Sequence, residues 1–154
     1  MQDQKPPRLS GDERSTLLAL LTFQRESVIR KVEGLSSQQA RWSPVRSATS
    51  ALWLLNHLAD AERSWVIVRF AGRSAELTVT APDDLARSVV QYVETSREVD
   101  LIIRSHDLSE LTRAESIEPP VNLRWVLAHL LEETARHAGH LDLITELLDG
   151  RTGR

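Results

Sequence analysis

Five histidines and no cysteine define what the side chains of this protein can offer an ion or a reactive substrate. Three of them fall in one stretch, His129-Leu-Leu-Glu132-Glu133-Thr-Ala-Arg136-His137-Ala-Gly-His140. Glu133 and His137 are four residues apart, so on a helix they lie one above the other and can reach a single ion. The same spacing describes many surface ion pairs, and taken alone it leaves both readings open. His57 comes from a distant segment at the margin of an apolar run, where a half-buried ring bonded to a backbone carbonyl is the plain alternative. Convergence favours the metal reading. Helical bundles build ion sites from inward side chains on facing helices, often with a carboxylate and a histidine one turn apart. His57, Glu133 and His137 would supply two imidazoles and a carboxylate with a coordination position left open. The lack of cysteine excludes disulfides, thiolate zinc sites and any thiol nucleophile carried by the chain itself.

These residues must be positioned by long helices. In the last one, stepping 100° per residue, Val126, Leu127, Leu130, Leu131, Leu141, Ile144 and Leu148 form an apolar arc. Glu132, Arg136, Asp142 and Glu146 fall on the opposite side. His137 sits inside the arc, Glu133 at its edge one turn earlier, and His140 one turn later. Asn122 is the expected N-cap and Gly150 the stop. Ser50 should cap the helix carrying His57, which is expected to run to about Ala71 before Gly72. Two further helices complete the pattern. One opens on a Ser10/Glu13 capping box, carries Leu17, Leu18, Leu21, Val28, Ile29 and Val32, and stops at Gly34. The other is announced by Thr80, Ala81 and Pro82, has Asp83 and Asp84 in its first turn, and runs to about Arg104. A Ser36/Gln39 box predicts one short helical turn between the first two long helices. Leu77-Thr-Val-Thr is too short to argue for a sheet, and no internal repeat is present.

Glu62 projects into the apolar face of the His57 helix. A lone buried carboxylate is costly, so it needs a partner. Arg69, Arg30, an indole N–H or a metal-binding histidine are the candidates, with a structural ion pair favoured over a catalytic role.

The whole chain sets wider bounds. Its 154 residues suit one domain with a real core, and a net charge of -3 offers no bulk attraction for nucleic acid or anionic membrane. The four tryptophans are not interleaved with a basic stripe, which argues against a base-stacking platform. No apolar run approaches membrane-spanning length, and a cytoplasmic location is expected.

The stretch Ser50-Ala-Leu-Trp-Leu-Leu-Asn-His57-Leu-Ala-Asp-Ala-Glu62-Arg-Ser-Trp65 resembles the second helix of the DinB-like superfamily. Glu133-Thr-Ala-Arg-His137-Ala-Gly-His140-Leu-Asp resembles its last helix, and the likeness is closest to the actinobacterial branch. The resemblance implies an all-α, up-down-down-up four-helix bundle over residues 9–150, with 1–8 and 151–154 as flexible ends. It also implies one divalent ion, zinc or nickel. The usual pattern has one histidine in the second helix and H-x-x-x-H before R-G-Q in the last. Here Glu133 takes the first position of that pair and A-G-H replaces R-G-Q. A glutamate there is similar to the mycothiol-dependent maleylpyruvate isomerases, whose site is His-Glu-His. Carried over by position, the ligands are His57, Glu133 and His137. His140 stands where glutamine is usual, either supporting a ligand or substituting for one.

By the same resemblance the protein is expected to use mycothiol as cosubstrate in an S-transferase or isomerase reaction on a small molecule, with Arg46 or Arg136 recognising the thiol's polar groups. Two rivals stand beside it: a metal-dependent hydrolase, and a non-enzymatic metal-binding or dimerising bundle. Trp53 and Val79, apolar residues outside the core stripes, are the candidates for a homodimer surface.

Overall fold

A computed structural model describes residues 4–73, 81–113 and 119–152. Helix α1 spans Glu13–Val32. Its cap is Asp12 rather than the expected Ser10, because the Asp12 carboxylate accepts both the Ser15 N–H at 3.0 Å and the Ser15 hydroxyl at 2.7 Å. Helix α2, Ser37–Arg41, is the short turn set by the reciprocal Ser36/Gln39 box. Helix α3, Ala51–Glu62, starts at the Ser50 cap as expected. The same helical segment then widens into a π-helical run over Arg63–Phe70, which the periodicity does not predict. Helix α4 spans Leu85–Ser105. Asp84 caps it through the Arg87 N–H, so the two aspartates precede the first turn instead of lying in it. Asp83 instead pairs with Arg41 at 2.6 Å. Helix α5, Leu123–Asp149, runs from the Asn122 cap to Gly150, whose φ of 74° is the left-handed conformation that suits glycine.

The described residues are therefore all-α, with one isolated bridge between Leu111 and Asn122. None of the described helices is long and apolar enough to cross a membrane. Thr80, Leu77-Thr-Val-Thr and the proposed partner-surface residue Val79 lie outside the described residues.

Helix α1 packs chiefly on α5, and α3 packs on α4 and α5. The apolar side chains form two clusters. One gathers Val28, Val32, Leu54, Leu55, Leu58, Tyr92, Leu141 and Ile144. The other gathers Leu18, Leu21, Val66, Phe70, Val99, Ile103, Leu127 and Leu130. Each long helix crosses from one cluster to the other, and a buried polar side chain marks each crossing: Arg25 on α1, Glu62 on α3, Thr95 on α4 and Thr134 on α5. A polar layer thus lies between two apolar halves.

The centre of that layer is an ion pair. Arg25 donates to both oxygens of Glu62, at 2.8 and 2.7 Å, and to Asp100 at 2.7 Å. The expected pairing of Glu62 is present, but its partner is neither Arg69 nor Arg30. Arg69 lies 4.2 Å from the centre of the Trp65 ring, and Arg30 reaches toward Glu26 and Phe23. Burial pushes the Glu62 carboxyl up, and the Arg25 guanidinium pulls it back.

Candidate metal centre

The apolar residues that seat α3 also aim His57. Leu54, Leu55 and Leu58 are buried, which leaves His57 on the flank facing α5 with its side chain one-third exposed. On α5, buried Leu130, Thr134 and Ala138 fix the helix against the core and bring Glu133 and His137 to the same flank. The Glu133 Oε1 atom lies 2.8 Å from His57 Nε2 and 3.1 Å from His137 Nε2. One ligand atom from each of the three residues falls within 4.8 Å of the others. The sequence-derived trio is brought together from two helices.

Neighbouring rings hold the imidazoles in orientation. Trp53 stacks on His57 with ring centres 4.9 Å apart and planes 5° from parallel. His57 and His137 meet edge to face at 4.9 Å. Trp53, expected as spare apolar surface, therefore forms a wall of this site, while 49% of it remains exposed. His140 approaches the other side of His137, its Nδ1 lying 3.1 Å from His137 Nδ1. It is not among the three converging ligand atoms, and it stands behind His137 on the ring nitrogen that faces away from Glu133.

Charge on the cluster follows from this geometry. Partial burial pushes the Glu133 carboxyl up, but its bond to His57 and the nearby His137 outweigh that and hold it below the usual 4.5. Partial burial pulls His137 below its usual 6.5, although Glu133 opposes the shift. An ionised carboxylate beside a neutral imidazole is the protonation state a divalent cation requires of its ligands.

Other candidates stay apart. His129 stacks on Trp125 at 5.0 Å and packs against Trp65. Glu132, on the side opposite the apolar arc as expected, faces His129 at 3.9 Å, and its side chain is 75% exposed. Arg46 and Arg136 are exposed, and neither makes a hydrogen bond or ion pair among the described residues. Asp142, assigned to the solvent side, pairs with the buried Lys31.

A protein-family model described as mycothiol-S-transferase matches residues 16–150, a span that includes His57, Glu133, His137 and His140. No curated protein matches the chain.

Proposed function

The chain belongs to the mycothiol-S-transferase family within the DinB-like superfamily, and on that premise we propose that it is a metal-dependent enzyme joining a low-molecular-weight thiol to a small electrophile. The observation that carries this reading is the convergence of His57, Glu133 and His137 within 4.8 Å. The donor set fits a divalent cation, zinc or nickel: two imidazole nitrogens and a carboxylate oxygen, drawn from two helices and still partly open to solvent. When bound there, such a cation would stabilise the anionic form of a thiol at neutral pH.

Each residue of the chain then has a distinct task. His57 and His137 would present Nε2, and Glu133 would balance part of the positive charge. Trp53 fixes the His57 ring plane by stacking. His140 occupies the remaining ring nitrogen of His137 and so restrains its rotation. With no cysteine in the chain, the nucleophilic sulfur must arrive with the cosubstrate, for which mycothiol is the family's namesake. In the transfer, the thiol gives its proton to solvent, sulfur forms a bond to the electrophilic carbon, and the leaving group departs with the electron pair of the bond that joined it to that carbon. The bundle reading is part of the same proposal. Residues 9–150 would form one domain in up-down-down-up order, which is supported by the direction in which each long helix passes between the two apolar clusters.

Elemental analysis combined with a mycothiol-conjugation assay tests the proposal. The wild type should carry about one divalent ion per chain. A His57→Ala, His137→Ala double variant should lose both the ion and conjugation while keeping helical circular dichroism like that of chelator-treated wild type. Full retention of metal by the double variant would place the site elsewhere. Metal-loaded wild type that conjugates no thiol would defeat the transferase reading.

A further inference from the structure

Next to the candidate centre, the loop after α2 and the end of α5 line a half-open cavity of about 410 Å³. Pro44 and Val45 form one wall, Leu143, Ile144 and Leu147 the other, and His140 stands at one end. Val45, Leu143 and Leu147 are 51%, 61% and 66% exposed and account for three of the ten exposed large hydrophobic residues among the described residues. Such residues are normally scattered singly, so their convergence on one concavity marks a binding surface. The same His140 that lines the cavity lies 3.1 Å from His137, so the cavity adjoins the proposed ligand set.

The loop wall is a defined structure. Ser43 donates its hydroxyl to the Val45 carbonyl at 3.0 Å, and the Ser47 and Thr49 hydroxyls bond each other at 3.0 Å. The Ala48 N–H donates to the Val45 carbonyl at 3.1 Å. Ala48 holds a φ of 58°, the one left-handed non-glycine conformation among the described residues. That conformation is strained at an alanine, whose Cβ crowds the following carbonyl. Strain of this kind collects where a loop is shaped for a ligand.

The chemistry of the lining identifies the occupant. Among the described residues, no aspartate, glutamate, lysine or arginine lines the cavity, and the rim hydroxyls are paired with each other. These walls offer a charged group no counter-charge and gain most from covering apolar surface. The volume lies within the range of small-molecule sites, roughly 300–1,000 Å³. We propose that this cavity binds the apolar part of the electrophile, a neutral compound carrying one or two fused rings, beside the His57–Glu133–His137 centre. Naming the occupant as the electrophile rests on the S-transferase reading above.

The neutral naphthalene dye Prodan provides a test that needs no metal, thiol or turnover. Its fluorescence should report saturable binding to the full chain. Leu143→Asp and Leu147→Asp should each weaken that binding at least about tenfold by placing a carboxylate in the apolar wall. Both positions are exposed, so circular dichroism should be unchanged. Leu101→Asp, at a 70% exposed residue on α4, should bind Prodan like wild type. Equal affinities in wild type and the two wall variants would overturn the proposal, as would the absence of saturable binding. Light scattering at the same concentrations supplies a third overturning result: Prodan binding that follows the dimer fraction would make this face a contact between copies. A wild type that binds Prodan at this wall but conjugates no mycothiol sinks the transferase reading alone. One that conjugates mycothiol while giving any of the overturning results sinks the cavity assignment alone.

Discussion

Glu62 and Glu133 are both carboxylates on the inner flanks of neighbouring helices, yet their surroundings give them opposite uses. Glu62 is 1% exposed, and both of its oxygens accept from Arg25. A guanidinium cannot give up its proton, so the pair is closed to any other ligand. Glu133 is 21% exposed, and its Oε1 faces two imidazoles while Oε2 makes no hydrogen bond among the described residues. Imidazoles can turn a neutral nitrogen lone pair toward an ion. The identity and exposure of the partner, more than the carboxylate itself, separates a structural charge from one available to a metal.

The largest expected effect lies on the structural side of this contrast. Arg25→Met would leave Glu62 buried without its cation and should cost roughly 3–5 kcal/mol of stability, read by urea unfolding. The metal content of the folded fraction should not change. Adding Glu62→Leu should recover most of the loss, since a well-packed apolar pair often replaces a buried ion pair at little cost. A loss below about 1 kcal/mol for Arg25→Met would show that the polar layer is dispensable.

On the other side, Glu133→Gln should weaken metal binding at least about tenfold in a chelator competition, because a neutral amide replaces an anionic oxygen. Its metal-free stability should fall by less than about 1 kcal/mol, as expected for a partly exposed pair. Unchanged affinity would remove Glu133 from the ligand set and make His140 the leading replacement. A large loss of stability without metal would erase the distinction from Glu62.

Legibility in the sequence follows the same divide. The positions of His57, Glu133 and His137 could be read because each depends on register within one helix, and the apolar residues around them fix that register. The partner of Glu62 could not be read in this way, since Arg25 is 37 residues distant and on another helix. A signal was nevertheless present: Arg25 falls four residues after Leu21 and three before Val28, inside an apolar stripe. A charge in that position calls for a buried counter-charge. Asp12 displaced Ser10 as the first cap because caps two residues apart compete, and a carboxylate can engage both donors of Ser15. The π-helical run after Glu62 is not legible when the spacing of apolar residues is read at the ordinary helical step. The left-handed Ala48 was equally hidden, because alanine carries no preference for that conformation.

A smaller effect separates the two carboxylates by pH in chelator-treated protein. Glu133 is held below 4.5 on folding, so its contribution to stability is present above pH 4.5 and is lost as pH falls through the depressed value. Glu62 is raised by burial against the pull of Arg25, so its titration has the opposite sign, favouring the fold below 4.5 and losing that contribution as pH rises through the raised value. The stability difference between wild type and Glu133→Gln, measured by urea unfolding from about pH 7 down to about pH 3, should therefore shrink toward zero at the acid end. A difference that grows on acidification would contradict the sign assigned to Glu133.

The smallest expected effect gives the sharpest comparison, because Glu132 is the immediate neighbour of Glu133. Composition cannot tell these two carboxylates apart, but a 100° helical step can. It carries Glu132 away from His137 and leaves its side chain 75% exposed, with His129 at 3.9 Å as its nearest ionisable partner. A pair three residues apart on an exposed helix face contributes only roughly 0.2–0.5 kcal/mol, and this one needs a protonated histidine to contribute even that. Glu132→Gln should therefore leave both metal affinity and unfolding midpoint within error of wild type at neutral pH. The variant keeps the same net charge as Glu133→Gln, so it controls for long-range electrostatic attraction of a cation. Equal losses of metal in the two variants would mean that the general negative charge of this face draws the ion. A loss confined to Glu133→Gln would instead tie binding to the carboxylate that lies between His57 and His137.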